Sequence, residues 1–177
     1  MKLERTVTVH KPLHEVFAYL SDFTTTTEWD PGTVTTVRTA GDGEVGTEYE
    51  NTSTFAGRQT RLTYVVEDLV PNERIALRGE NSTVIAHDTM TFRATDVDPA
   101  GHHIADGDAA GSDAAGSGSA GGTTSGSTSP SAGTQVTYTA DFTFKGLTKL
   151  IAPLMKPAFT KLGNEAEAGM AAALERL

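Results

Sequence analysis

Polar and apolar residues alternate along most of this chain, and in two places the apolar residues return instead every third or fourth position. Residues 3–10 alternate, with Leu3, Arg5, Val7 and Val9 on one side, and the pattern stops at Lys11-Pro12. That predicts a first strand, because successive strand residues point to opposite faces. From Pro12 to Phe23 the spacing of Leu13, Val16, Phe17 and Leu20 is helical, and Ser21-Asp22 closes or re-caps the segment. A short helix pair over residues 12–28 is therefore expected. After the turn Trp29-Asp30-Pro31-Gly32, residues 33–39, 46–55, 60–69, 74–80 and 83–95 read as successive strands. Their links are short, as at Gly41-Asp42-Gly43, Ala56-Gly57-Arg58, Pro71-Asn72-Glu73 and Glu80-Asn81-Ser82, which favours an antiparallel meander over parallel crossovers.

The second helical stretch ends the chain. Leu147, Leu150, Ile151, Leu154, Met155, Ala158, Leu162, Ala166, Met170, Ala173, Leu174 and Leu177 fall on one helical face. Pro153 and Pro157 interrupt it, so the regular helix is expected from about Pro157 to Leu177, with the preceding piece able to serve as a lid. One segment fits neither period. Residues 96–133 contain no Lys, Arg or aromatic residue and consist almost wholly of Gly, Ser, Ala, Thr and Asp. Such a segment cannot build a core and is expected to be disordered. The alternating stretches 89–94 and 136–144 flank it, so it reads as an overgrown loop between the last two strands of a single domain spanning residues 1–177.

Composition narrows the function. The 177 residues are 37% hydrophobic, enough for one core. The net charge of −9 repels a nucleic-acid backbone, so nucleic acid is not an expected partner. Five of the acids lie in the insert, which leaves −4 for the rest. No run of about 18 apolar residues predicts an integral membrane segment, and the first residues lack the apolar stretch of a secretory signal. A cytoplasmic location is the expectation. The absence of cysteine excludes disulfides and thiolate chemistry. No cofactor or metal is expected either. His102, His103, Asp106 and Asp108 sit in the low-complexity insert without fixed geometry, and Gly116 to Gly122 lacks the strand, helix and Lys-Ser/Thr ending of a phosphate loop.

Several short stretches carry a family resemblance by their order and spacing: Arg5-Thr6-Val7-Thr8-Val9 followed by Pro12 and Val16-Phe17; Glu28-Trp29-Asp30-Pro31-Gly32; Val45-Gly46-Thr47-Glu48-Tyr49; Val66 through Pro71; and Phe142-Thr143-Phe144-Lys145-Gly146-Leu147. The chain resembles the polyketide cyclase/dehydrase and lipid-transport superfamily, the START-like or SRPBCC helix-grip proteins. The resemblance implies an α+β helix-grip fold: a curved antiparallel sheet wrapped around a long C-terminal helix, with two short helices after the first strand. It also implies an apolar cavity between sheet and helix for lipids, polyketides or other hydrophobic molecules. It brings no shared catalytic residue set, and fold alone is a poor guide to reaction.

Alternation selects the wall of that cavity. If Leu62, Tyr64 and Val66 face inward, so do Tyr49, Asn51 and Ser53, then Met90 and Phe92, and Tyr138, Phe142 and Phe144. From these come the candidate ligand-binding residues Tyr49, Asn51, Tyr64, Met90, Phe92, Tyr138 and Phe142, joined by Leu154 and Phe159 from the terminal segment. Trp29, the only tryptophan, is expected at the cavity mouth on the family resemblance. For each side chain the plainer reading is core packing, and for the two tyrosines it is anchoring to backbone. Tyr64 and Tyr138 are alternatively phenols offered to a ligand carbonyl. Asp88 shares the parity of Met90 and Phe92, and burial there would raise its pKa and suit it to proton transfer. The preferred reading instead leaves it solvated or paired with Arg78, and His87, of opposite parity, faces solvent.

The leading function is binding or transport of a hydrophobic small molecule, lipid- or polyketide-like, without chemistry. The alternatives are a cyclase- or dehydratase-like enzyme using a tyrosine or Asp88 as acid or base in the same cavity, and a module that binds a protein partner or a quinone.

Overall fold

The computed structural model of the chain describes residues 1–55, 57–97, 131–146 and 152–177. Residues 98–130, on which most of the disordered-loop expectation falls, lie outside the described residues, as do Leu147, Leu150 and Ile151.

Strand β1 (Lys2–Val9) leads into helix α1 (Leu13–Ser21), a 3-10 turn (Phe23–Thr25) and the single-turn helix α2 (Thr26–Trp29). The meander follows as β2 (Thr33–Ala40), β3 (Glu48–Phe55), β4 (Arg58–Val70), β5 (Arg74–Glu80), β6 (Val84–Val97) and β7 (Ser131–Phe144). A second 3-10 turn (Ala152–Met155) precedes helix α3 (Lys156–Leu174). Pro157 stands in the first turn of α3, where a missing N–H has no ladder bond to lose. The break expected from the two prolines therefore falls just ahead of the helix.

The seven strands form one antiparallel sheet in the order β1-β7-β6-β5-β4-β3-β2. Only β1 departs from sequence order, pairing with β7 from Lys2↔Asp141 to Val9↔Thr134. The long pairing of β6 with β7 runs from Val84↔Phe144 out to Val97↔Ser131, so the strands extend a little way into both ends of the low-complexity segment. Register slips interrupt β2–β3 and, between Val66 and Asp68, β4–β5. Such irregularities bend a sheet and increase its twist.

Helix α3 buries Phe159, Gly163, Ala166, Met170, Ala173 and Leu174, spaced by three or four along one face. Two glycines set how closely it sits. A methyl group on Gly163 would lie 3.2 Å from the Arg5 guanidinium, and one on Gly169 would overlap the carbonyl oxygen of Trp29. Arg5 holds the helix to β1 by donating to Asn164 Oδ1 at 2.7 Å and pairing with Glu167 at 3.3 Å. The other end of the core lies under α1, where Val16 and Leu20 are buried and Phe17 meets Phe92 edge-on at 5.1 Å. No helix among the described residues is long and apolar enough to cross a membrane.

Candidate functional site

A cavity of about 440 Å³ lies between the inner face of the sheet and the first half of α3. The end of β3 and start of β4 line it, with the start of β6, the end of β7, and Asp30 and Gly32 from the α2–β2 turn. Its apolar wall includes Leu62, Val84, Phe142, Phe144, Phe159 and Leu162. Phe159 gathers the rings, at 4.5 Å from Phe55, 4.8 Å from Phe142 and 5.9 Å from Phe144. Arg58, Gln59 and Thr83 are exposed and form part of the rim, whereas Asn51, Tyr64 and Asp88 are buried and form the floor.

Asp88 is the chemical centre of that floor. Only 4% of it is exposed, and the Tyr138 hydroxyl donates to its Oδ1 at 2.9 Å. The Tyr64 phenol lies beside the same carboxylate. Burial pushes the Asp88 carboxyl up from 3.8 to about 6; the two neighbouring phenols oppose the rise, and the nearby charge of Asp30 adds to it. Burial also pushes both phenols well above their ordinary value. Asp30 is raised too, by its own burial, while accepting from Thr33 Oγ1 at 2.8 Å and from the Gly32 N–H at 2.9 Å.

Tyr64 stands on β4 and Asp88 on β6, with β5 between them. The gap is bridged because Tyr64 is paired with Gly79, which in turn pairs with Ala86. A Cβ on Gly79 would meet the Tyr64 ring at 2.5 Å, so the ring lies across β5 in space that only glycine leaves open. Asp88 is two residues beyond Ala86 on the same strand face, within reach of the phenol. Phe23 backs the tyrosine at a ring distance of 4.8 Å, and Trp29 backs Tyr138 edge-on at 5.9 Å.

Of the candidate residues, Asn51, Tyr64, Tyr138 and Phe142 from the strands and Phe159 from the terminal segment line the cavity, as does Asp88. The preferred sequence reading of Asp88 is corrected: it is buried, and Arg78 pairs with Glu80 instead. His87 does point outward, half exposed, 3.8 Å from Glu67.

Five candidates lie elsewhere. Met90 and Phe92 share the parity of Asp88 but are buried toward α1, in the core end of the sheet. Tyr49 is buried against Phe23 at 5.5 Å and borders a separate hollow near α1 and the β2–β3 turn. Trp29 is 3% exposed beneath the floor, not at a mouth, because α3 packs directly on its carbonyl. Leu154 is 79% exposed in the 3-10 turn that precedes the helix proper. Asp30, Val84 and Leu162 were not singled out from the sequence. Asp30 carried a usable signal, since Asp-Pro-Gly is an Asx-turn sequence, but the turn gave no hint that its carboxylate borders a cavity.

A curved antiparallel sheet gripping a terminal helix, with an apolar cavity between them, defines a helix-grip protein. Residues 1–96 match the family described as Polyketide cyclase / dehydrase and lipid transport, and the chain belongs to that family. Among solved structures, the Zhui aromatase/cyclase from Streptomyces sp. R1128 is similar over 99% of this chain and 94% of its own, with a TM-score of 0.67 and 15% identity. A START superfamily protein from Mycobacterium smegmatis matches over 98% of this chain and 94% of its own, with a TM-score of 0.60 and 15% identity. A Thermus thermophilus protein, TTHA0849, matches over 98% of this chain and 99% of its own, with a TM-score of 0.58 and 14% identity. At these identities the likeness is one of fold. No curated protein matches the sequence.

Proposed function

We propose that the protein binds a hydrophobic small molecule in the cavity between sheet and α3, with one polar end of the ligand at the Asp88 floor. The observation that carries this reading is the cavity itself: about 440 Å³, walled by aromatic and aliphatic side chains, with its few polar groups gathered at one buried end. That is the composition of a pocket for an apolar molecule with one polar function. Burying apolar ligand surface contributes roughly 25 cal/mol per Å², so binding needs no covalent step. Family membership supports the same ligand class.

The test is occupancy and its blockage. Native mass spectrometry of the freshly purified protein should show a bound apolar molecule or uptake of an added one such as 2-methylnaphthalene. Val84→Trp fills the wall from a half-buried position and should weaken that uptake at least tenfold while leaving the circular dichroism unchanged. Equal uptake by both proteins would place binding elsewhere.

The Asp88 cluster favours a second reading, a cyclase- or dehydratase-like enzyme. A carboxyl titrating at about 6 is partly protonated near neutrality and can both take and return a proton. In that case Asp88→Asn should lower kcat by a factor of about 100 or more. Loss of binding with turnover retained would remove Asp88 from any acid–base role.

A further inference from the structure

The directions of the hydrogen bonds around the floor say which polar group a ligand can bring there. A carboxylate only accepts, so when Asp88 is ionised the Tyr138 hydrogen is already donated to it, and the Tyr64 phenol faces the same negative charge. What Asp88 and Tyr138 turn toward the cavity is lone pairs. Asp30, the second carboxylate on the wall, likewise only accepts, and the Thr33 hydroxyl and Gly32 N–H beside it are directed onto it.

The remaining polar groups of the floor are aligned in the same sense. Ser53 Oγ donates to Asn51 Oδ1 at 2.6 Å, and Asn51 Nδ2 donates to Thr36 Oγ1 at 2.8 Å. The Thr26 hydroxyl donates to the Phe23 carbonyl at 2.8 Å, so in the 2.6 Å contact between Thr36 and Thr26 the donor is Thr36. The chain of hydrogens therefore runs away from the cavity, from Ser53 to the carbonyl of Phe23, and leaves the Ser53 oxygen as an acceptor at its cavity end. The buried indole Nε1 of Trp29 has no hydrogen-bond partner among the described residues, but Trp29 is not on the wall. The wall's other donors are Arg58, Gln59 and Thr54, exposed at the rim, and the half-buried Thr60 beside Gln59, whose hydroxyl accepts from Asn81 Nδ2 at 3.2 Å and keeps its own hydrogen.

We propose that this floor selects apolar ligands whose buried end donates a hydrogen bond, that is, an alcohol or phenol hydroxyl on an otherwise apolar molecule, and rejects those whose only polar atom is an acceptor. The inference rests on the cavity-binding reading and deepens it. A ligand hydroxyl satisfies a buried acceptor set that is otherwise left with water or nothing. A ketone or ether oxygen brings a lone pair against lone pairs, and a buried acceptor without a donor is costly. Sites built around a particular hydrogen bond discriminate strongly against analogues that lack the matching group. The alternative in which Tyr138 offers its phenol to a ligand carbonyl is thereby set aside, because its hydrogen points at Asp88.

Three naphthalenes of nearly equal size test this by isothermal titration at mildly alkaline pH with the full chain: 2-naphthol, 2-methylnaphthalene and 2-methoxynaphthalene. The hydroxyl compound is the most easily hydrated, so hydrophobicity alone ranks it last. The proposal expects 2-naphthol to bind at least tenfold tighter than either of the others. It also expects Asp88→Asn, which puts an amide donor where the floor has a carboxylate acceptor, to reduce that preference to threefold or less. Binding of 2-naphthol no tighter than the methyl compound overturns the donor preference and leaves the cavity reading standing. A preference that survives intact in Asp88→Asn also overturns it, since the floor would then not be its source. If none of the three binds, the cavity reading fails and this inference with it.

Discussion

Asp88 is a residue whose burial costs stability and whose phenol partners offset part of that cost. Its folded pKa, about 6, lies above the ordinary 3.8, so the folded chain holds this proton more tightly than the unfolded chain does. Its contribution is therefore full at acidic pH and is lost as pH rises toward and through about 6. Asp30, also raised by burial, moves in the same direction, whereas Glu80, held below its usual range by Lys145 and then Arg78, moves in the opposite one. Asp88→Asn should thus be more stable than the wild type above pH 6 by up to about 3 kcal/mol, with the advantage vanishing in acid. Urea unfolding at a series of pH values measures it; a constant difference across the series would contradict the burial argument. Gly79→Ala should displace the Tyr64 ring and destabilise by about 1–3 kcal/mol, read as a fall in the urea midpoint. The inward direction of Asp88 was legible from parity. Its partners were not, because Tyr64 reaches it across an intervening strand, and no single-strand pattern shows that Gly79 leaves the path open.

At the scale of elements, alternation identified every strand, and the ends moved by only a few residues: β4 begins at Arg58 and β6 continues to Val97. What alternation could not divide was the length of each inner face. Asp88, Met90 and Phe92 share one face of β6, yet the first borders the cavity and the other two pack toward α1. That division comes from where the helices lie across the sheet, a long-range property absent from local spacing. The placement of α3 depends on the close approach of Gly169 to the α2 carbonyl and of Gly163 to Arg5. Gly169→Ala should force α3 away from α2 despite the better helix propensity of alanine. We expect a loss of about 1–3 kcal/mol in place of the usual gain of up to about 1 kcal/mol for such a change in an exposed helix. Thermal unfolding distinguishes the two signs.

Over the whole molecule, the fold is a sheet with its core at one end and its cavity at the other. Phe17, Phe92, Tyr49 and Phe23 fill the first, and Phe159 with its neighbouring rings surrounds the second. Dense packing is thus concentrated away from the cavity, which can stay open. Residues 98–130 of the low-complexity segment are flanked by the paired residues Val97 and Ser131, well removed in register from the Val84↔Phe144 end that borders the cavity. Replacing residues 98–130 with a tight turn should leave unfolding cooperative and binding intact, with a gain of about 1–2 kcal/mol from the shorter closure. The most direct test of the account is a crystal structure of the protein with 2-naphthol. It should show the ring between Leu62 and Phe159 and its hydroxyl within hydrogen-bond distance of the Asp88, Tyr64 and Tyr138 cluster. A cavity closed by its own side chains, with the naphthol elsewhere or absent, would contradict it.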